Sequence, residues 1–184
     1  MKVRIIAGKY GGRSIEGSGT NRTHPMGERI KGSLFNMLAS IEGGELESAD
    51  VLDAFAGRGA LGLEALSPGA KRATFIEKDR IAQKVIASNI EALGVTGATK
   101  LIKAPVASWL ETTTQQFDLI FVDPPYHDPQ LSTAMKLIGL LKPNGLMVLS
   151  YPGRGEAPTE LGVVVVDNRS YGDAALAFYR RKSA

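Results

Sequence analysis

Cysteine is absent from the 184 residues, which excludes disulfides, thiolate metal sites and a cysteine nucleophile. Histidine is nearly absent. His24 and His127 stand alone and far apart, so no metal site is expected and both read as surface residues, with His127 able to line a site through its neighbour Tyr126. No apolar run approaches the roughly 20 residues of a membrane span, and no signal peptide is visible. The expectation is a cytoplasmic protein with no membrane partner. Internal repeats and low-complexity segments are missing too, and nothing demands more than a monomer. The single tryptophan, Trp109, reads as core, as do the scattered methionines.

Neither sign of charge dominates: 22 Lys and Arg stand against 19 Asp and Glu, a net charge of +3. The excess is concentrated at one end. Residues 1–31 hold Lys2, Arg4, Lys9, Arg13, Arg22, Arg29 and Lys31 against only Glu16 and Glu28. Such a segment can contact phosphates, and a solvated basic tail has the same signature.

The length fits one domain with a substantial core. Residues 1–22 are Gly-rich and basic, with candidate short strands at 3–6 and 13–15 around Gly11-Gly12, the makings of a hairpin. From about 27 to 41, Ile30, Leu34, Phe35, Leu38 and Ile41 recur at helical spacing. These two elements form a basic extension, 1–42, ahead of a core at 43–184. In that core, strands near 50–54, 73–77, 99–103, 118–122 and 145–150 alternate with helices near 60–67, 79–93, 105–112 and 130–141. Such alternation implies right-handed crossovers and an α/β fold on a parallel sheet. The end differs: 162–166 and 174–179 are joined by a turn-rich link, 168–173, without a helix. An antiparallel terminal pair is expected there.

Two motifs carry the chemistry. The apolar run Phe117-Asp118-Leu119-Ile120-Phe121-Val122 ends in Asp123-Pro124-Pro125-Tyr126. Each proline fixes its own φ and biases the residue before it toward extended geometry, so Asp123 and Pro124 are both held. The Asp123 carboxylate and the Pro124 carbonyl can then accept from one planar NH2 group, while the Tyr126 ring stacks on the base that carries it. An ordinary strand-to-loop turn would also use prolines. Upstream, Val51-Leu52-Asp53-Ala54-Phe55 leads into Ala56-Gly57-Arg58-Gly59-Ala60-Leu61-Gly62. Gly57 and Gly59 permit a tight turn with close backbone approach, and Gly62 permits close helix packing. The spacing also fits a dinucleotide loop. Two acids argue for another ligand. Asp53 precedes the glycines, where a carboxylate would repel a pyrophosphate but suit a cationic amino acid. The next strand, Ala73-Thr74-Phe75-Ile76-Glu77, ends in an acid able to bind ribose hydroxyls. A ribose joined to a cationic amino-acid end describes S-adenosylmethionine. Asp53, Glu77 and Asp123 all fall at the carboxyl ends of strands, where open α/β sheets bind ligands.

The ordered set from Asp53 to Leu66, then Phe75-Ile76-Glu77-Lys78-Asp79, then Asp123-Pro124-Pro125-Tyr126 resembles the bacterial RsmD family of 16S rRNA guanine-N2 methyltransferases. The likeness extends to Arg4-Ile5-Ile6-Ala7-Gly8, Gly11-Gly12-Arg13, Leu34-Phe35-Asn36-Met37-Leu38 and Tyr171-Gly172-Asp173. It implies a class I S-adenosylmethionine-dependent methyltransferase sheet, Rossmann-like and mostly parallel, with an antiparallel C-terminal strand and a hairpin-plus-helix extension. By position it implies a cofactor site at Asp53, Ala56, Gly57, Gly59, Gly62, Glu77, Lys78 and, facing the adenine, Ala104. Asp123, Pro124, Pro125 and Tyr126 would take the guanine. Arg4, Lys9, Arg13, Arg22, His24, Arg29 and Lys31 would contact RNA, in small-subunit rRNA within an assembled or partly assembled 30S particle. The chain departs from the family at His24-Pro25-Met26, where Arg-Pro-Thr is usual, and at Gly32, where a Glu is usual. Rival readings stay open: an adenine-N6 methyltransferase acting on DNA or RNA, a nicotinamide-dependent oxidoreductase, and a non-catalytic RNA-binding module.

Overall fold

Alternating buried strands and amphipathic helices assemble a seven-stranded sheet with a two-stranded hairpin fastened beside it. The computed structural model describes residues 2–17, 27–125, 127–153, 156–160 and 162–182. The hairpin is β1 (Lys2–Arg4) with β2 (Ser14–Glu16), followed by α1 (Glu28–Ser40). Then come β3 (Asp50–Ala54), α2 (Ala60–Leu66), β4 (Arg72–Ile76), α3 (Arg80–Leu93), β5 (Thr99–Ile102), α4 (Val106–Thr112) and β6 (Phe117–Val122). The chain closes with α5 (Leu131–Lys136), β7 (Leu141–Pro152), β8 (Val163–Tyr171) and β9 (Ala174–Arg181).

The strand order is β5-β4-β3-β6-β7-β9-β8. Pairs from β5 to β7 are parallel, and β9 runs antiparallel between β7 and β8. Chain progression moves outward from β3 to β5 and then returns to the other side of β3 with β6. A crevice therefore opens at the carboxyl ends of β3 and β6. Side chains alternate between two cores. Val51, Phe75, Leu119 and Phe121 face a cluster with α1, α2, α3 and the hairpin, while Leu52, Ile76, Ile120 and Val122 face α4 and α5. The Phe35 ring of α1 sits 5.6 Å from that of Phe121, which holds α1 over the end of β6. Helix α3 begins with the Asp79 carboxylate accepting from the Ala82 N–H at 2.8 Å and ends at left-handed Gly94, a capped start and a glycine stop.

Two boundaries moved. The helix expected over 130–141 stops at Lys136 and tightens into a 3-10 turn over Leu137–Leu140, and β7 starts at Leu141. The apolar run continued past the helix because those residues enter the second core, so periodicity did not mark its end. Around Lys142-Pro143-Asn144-Gly145 the β6–β7 register slips, with Phe117 opposite Leu141 but Leu119 opposite Leu146. The expected link 168–173 shrinks to Gly172-Asp173, since β8 runs to Tyr171. Asn168, Arg169 and Ser170 are exposed on an edge strand, where polar residues mimic a turn signal.

The basic extension is docked on the sheet's first core. Ile5 and Ile15 are buried in the first core, and the buried Glu64 of α2 accepts from the backbone N–H of Ile6 at 2.8 Å and of Ala7 at 3.4 Å. Ser67 accepts from the Tyr10 N–H at 2.9 Å and donates to the Ala7 carbonyl. Asn89 of α3 accepts from the Glu16 N–H at 2.8 Å and returns a bond to the Glu16 carbonyl at 3.0 Å. Three buried polar side chains thus complete the hydrogen bonding of a hairpin too short to be stable alone.

Candidate active site at the carboxyl ends of the strands

Parallel pairing carries the predicted acids to one rim. Asp53 pairs with Phe75 on one side and Phe121 on the other, so Glu77 and Asp123, two residues beyond those partners, lie at neighbouring strand ends. Asp53 is 2% exposed, and its carboxylate accepts from the Gly62 N–H at 2.9 Å, bracing the first turn of α2. Burial pushes its pKa well above the carboxylate range, the Gly62 bond opposes this, and repulsion from Asp123 and Glu77 adds to it. Asp123 lies between buried Val122 and buried Pro124 and is itself partly exposed. Burial of its carboxyl raises the pKa to about 7, opposed by a hydrogen bond from Ser150. Asp53, with Asp123 and Glu77 both repelling its charge beside the glycine loop, makes this rim favourable to a positive charge.

Glu77 has a further duty. One oxygen accepts from the Gly57 N–H and the other from the Asp79 N–H, both at 2.8 Å, so it ties the glycine loop to the end of β4. Gly57 and Gly59 have φ of +57° and +83°, and a side chain on Gly57 would project into open space. Phe55, just ahead, is a non-glycine residue at φ +57°, a strained conformation of the kind that gathers at functional sites. Gly62 allows close packing of α2 on the sheet. A Cβ there would lie 2.5 Å from Cε1 of buried Phe75 and 3.2 Å from Cβ of Asp53. Gly62→Ala should therefore cost about 1–3 kcal/mol through overpacking. Thermal unfolding checks this, and an unchanged midpoint would mean that Phe75 yields freely.

Pro125 is partly exposed beside Asp123, as is Ala104 in the bend after β5, while Lys78 is exposed and Ala56 buried with its N–H on the Ile76 carbonyl at 2.9 Å. Tyr126, Arg22 and His24 lie outside the described residues. Arg4, Lys9, Arg13 and Arg29 are exposed on the hairpin and α1, with Lys9 5.1 Å above the Tyr10 ring and Arg13 donating to the Ala92 carbonyl. Lys31 is a correction. Expected on RNA, it is 2% exposed, 3.2 Å from the Glu64 carboxylate, and donates to the Arg4 carbonyl at 3.0 Å. A helical face one turn longer than the apolar stripe had hidden this internal ion pair. Sequence reasoning also missed Ser150, buried on β7. Its one signal was a hydroxyl interrupting the apolar run 146–151.

A family model described as conserved hypothetical protein 95 matches residues 3–180. Ribosomal RNA small subunit methyltransferase D of Haemophilus influenzae is 35% identical over 79% of this chain and 77% of its own length. The protein of that name from Escherichia coli K12 is 35% identical over 78% of the chain and 69% of its own. Among solved structures, the Escherichia coli protein yhhF superposes with a TM-score of 0.87 at 30% identity, all of both chains being covered. The sheet order, with its antiparallel strand inserted next to the last, is that of the class I methyltransferase fold. On these grounds, the chain belongs to the family of ribosomal RNA small subunit methyltransferase D.

Proposed function

We propose that the protein methylates the exocyclic N2 amine of a guanine in small-subunit rRNA, with S-adenosylmethionine as methyl donor. The observation that carries this reading is the convergence of Asp53, Glu77 and Asp123 beside the Gly57–Gly59 turn. The residues fit the donor: Asp53, raised in pKa first by burial and further by repulsion from Asp123 and Glu77, is relieved by a cation, and the open space at Gly57 admits a ligand against the backbone. When bound, S-adenosylmethionine supplies an electrophilic methyl group on positively charged sulfur. The glycine loop, Glu77 and Ala104 would hold it, with Asp53 acting from behind as a brace.

The chain's remaining task is to make a poor nucleophile attack. The guanine N2 lone pair is delocalised into the ring. Ionised Asp123 and the Pro124 carbonyl accept hydrogen bonds from its two N–H groups, turn the nitrogen toward attack and stabilise the positive charge developing there, and the surplus N2 proton then passes to Asp123. Ser150 holds the Asp123 carboxyl in place. Arg4, Lys9 and Arg29 would grip RNA phosphates, and the 30S particle is the proposed substrate for a monomeric enzyme. Because the hairpin is part of the core, the test of this grip is charge removal rather than deletion. Arg4→Gln with Lys9→Gln should weaken RNA binding and lower the slope of log affinity against log salt by about 1.4–1.8 for two lost contacts, with the melting midpoint preserved. An unchanged slope would leave those residues as surface solvation.

Transfer of labelled methyl from S-adenosylmethionine to small subunits lacking the modification tests the whole reading. N2-methylguanosine at one position is expected. N6-methyladenosine would overturn the base, and absence of transfer to either subunits or naked rRNA would overturn the function.

A further inference from the structure

Gly32 is the fifth of the 13 residues of α1, a position where glycine weakens a helix more than any residue but proline. Neither conformation nor packing among the described residues requires it. Its φ is not positive, so no left-handed turn calls for a glycine. A Cβ there would have one described neighbour, Cδ1 of Ile6 at 3.8 Å, an ordinary van der Waals contact. Gly62 of α2 is the contrast, because a Cβ there would strike Phe75. Room kept on a helix surface against the helix's own preference suits a partner that comes close to the backbone.

The surroundings indicate the chemistry of that partner. Ile6 is 45% exposed. It alternates with buried Ile5, which puts it on the same outer face of the hairpin as exposed Lys2 and Arg4. The Arg4 carbonyl accepts from Lys31 at 3.0 Å, so this strand is fastened along α1. On the helix, exposed Arg29 and Asn36 lie three residues before Gly32 and four after it, on the same stripe. Glu64 neutralises Lys31, and Glu28, the one acid of α1, lies 4.0 Å from that same ammonium. Arg4 and Arg29 make no ion pair among the described residues. An apolar notch thus lies between two uncompensated guanidinium groups. It is also near the reacting end of the sheet. Phe35, one turn on from Gly32, places its ring 5.6 Å from that of Phe121, two residues before Asp123.

We propose that Gly32, Ile6, Arg4 and Arg29 form a groove that seats one sugar–phosphate strand of the substrate RNA beside the target base. The bare backbone at Gly32 admits a ribose against Ile6, and the two guanidinium groups take neighbouring phosphates. Asn36 offers a donor and an acceptor to a 2′-hydroxyl. A neutral or basic protein segment would leave the two cations unanswered. This inference rests on the rRNA reading above.

Gly32→Ala, Gly32→Leu and Arg29→Gln test it. Gly32→Ala adds helix propensity without a clash, so it should raise the melting midpoint by about 2–4 °C while weakening binding of unmodified small subunits about threefold. Gly32→Leu fills the groove. It should cost about tenfold in affinity for subunits and for naked small-subunit rRNA, with no loss of stability and S-adenosylmethionine affinity within about twofold. Arg29→Gln should lower the slope of log affinity against log salt by about 0.7–0.9 in the wild type and by much less in Gly32→Leu, where the strand no longer reaches Arg29. A lowered midpoint for Gly32→Ala would give Gly32 a packing role and overturn the groove. So would full RNA affinity in Gly32→Leu, or independent effects of the Gly32 and Arg29 changes. A loss confined to subunits, with naked rRNA bound as before, would hand the groove to a subunit protein and overturn it as well. Binding is read without methyl transfer, so a wild type that shows this pattern yet transfers nothing fails the functional reading and keeps the groove.

Discussion

Asp123→Ala is expected to lower kcat by about 10²–10³-fold while leaving S-adenosylmethionine affinity within a few-fold, the pattern of an interaction made at the transition state. Removing the carboxylate leaves the Pro124 carbonyl as the one remaining acceptor of the described pair, and the amine loses the group that turns it. Asp123→Asn separates shape from charge. Its amide oxygen accepts one hydrogen and its NH2 does not titrate, so the variant should retain more activity than Asp123→Ala.

The same pair gives a pH signature. With a pKa raised to about 7, Asp123 is largely protonated below neutrality, and the added proton occupies an oxygen that must accept from the amine. Activity as kcat/KM should therefore rise with pH through about 7 in the wild type and lose that limb in Asp123→Asn. In kcat the limb should move to lower pH, because the bound sulfonium favours the ionised carboxylate. The sign for stability is opposite. The folded state holds this proton more tightly than the unfolded chain, so stability of the free protein declines as pH rises from the ordinary carboxylate range toward 7. Equal losses of turnover and cofactor affinity in Asp123→Ala, or a pH limb that survives in Asp123→Asn, would remove Asp123 from the role given to it.

The second large effect lies in the docked hairpin. Glu64→Leu should destabilise the protein by about 3–5 kcal/mol, because it strands the buried Lys31 ammonium without its partner. The backbone N–H groups of Ile6 and Ala7 lose their acceptor in the same change. Against the 5–15 kcal/mol typical of a folded domain, that is a large fraction, on the order of 10 °C in melting midpoint for a chain of this length. The double variant Glu64→Leu with Lys31→Met should recover most of the loss, since a buried pair is replaceable by packed apolar side chains. Equilibrium unfolding of the two singles and the double measures the coupling. A loss below about 1 kcal/mol for Glu64→Leu would mean that Ile5 and Ile15 dock the hairpin without the ion pair.

Much of this architecture was legible in advance because its signals are local. The β3 and β6 strands announce themselves as short apolar runs, Asp79 and Gly94 bracket α3, and the turn glycines sit between a strand and a helix. The 136–146 region resisted for a physical reason. The end of a helix, a 3-10 turn and the start of a strand share the apolar stretch Leu137–Leu141, which enters one core and marks no boundary between them. The comparisons agree with the family expected from the motifs, which are strings of adjacent residues and so survive being read in one dimension.

The sequence by itself determined the α/β alternation, the parallel order and the strand ends on which Asp53, Glu77 and Asp123 stand, since each follows from periodicity and from the rule that parallel strands present their carboxyl ends together. Tertiary structure alone decided what the charges do. Lys31 and Arg29 are two residues apart in one helix and look alike in the sequence. One is sealed against Glu64 and the other meets solvent, because α1 lies on the sheet with one face and the two side chains leave it about 200° apart. Arg58 stands between two glycines of the loop, and its charge is buried. Charge is written in the sequence, but its burial and its partner depend on contacts between residues tens of positions apart, and those exist only once the chain has folded.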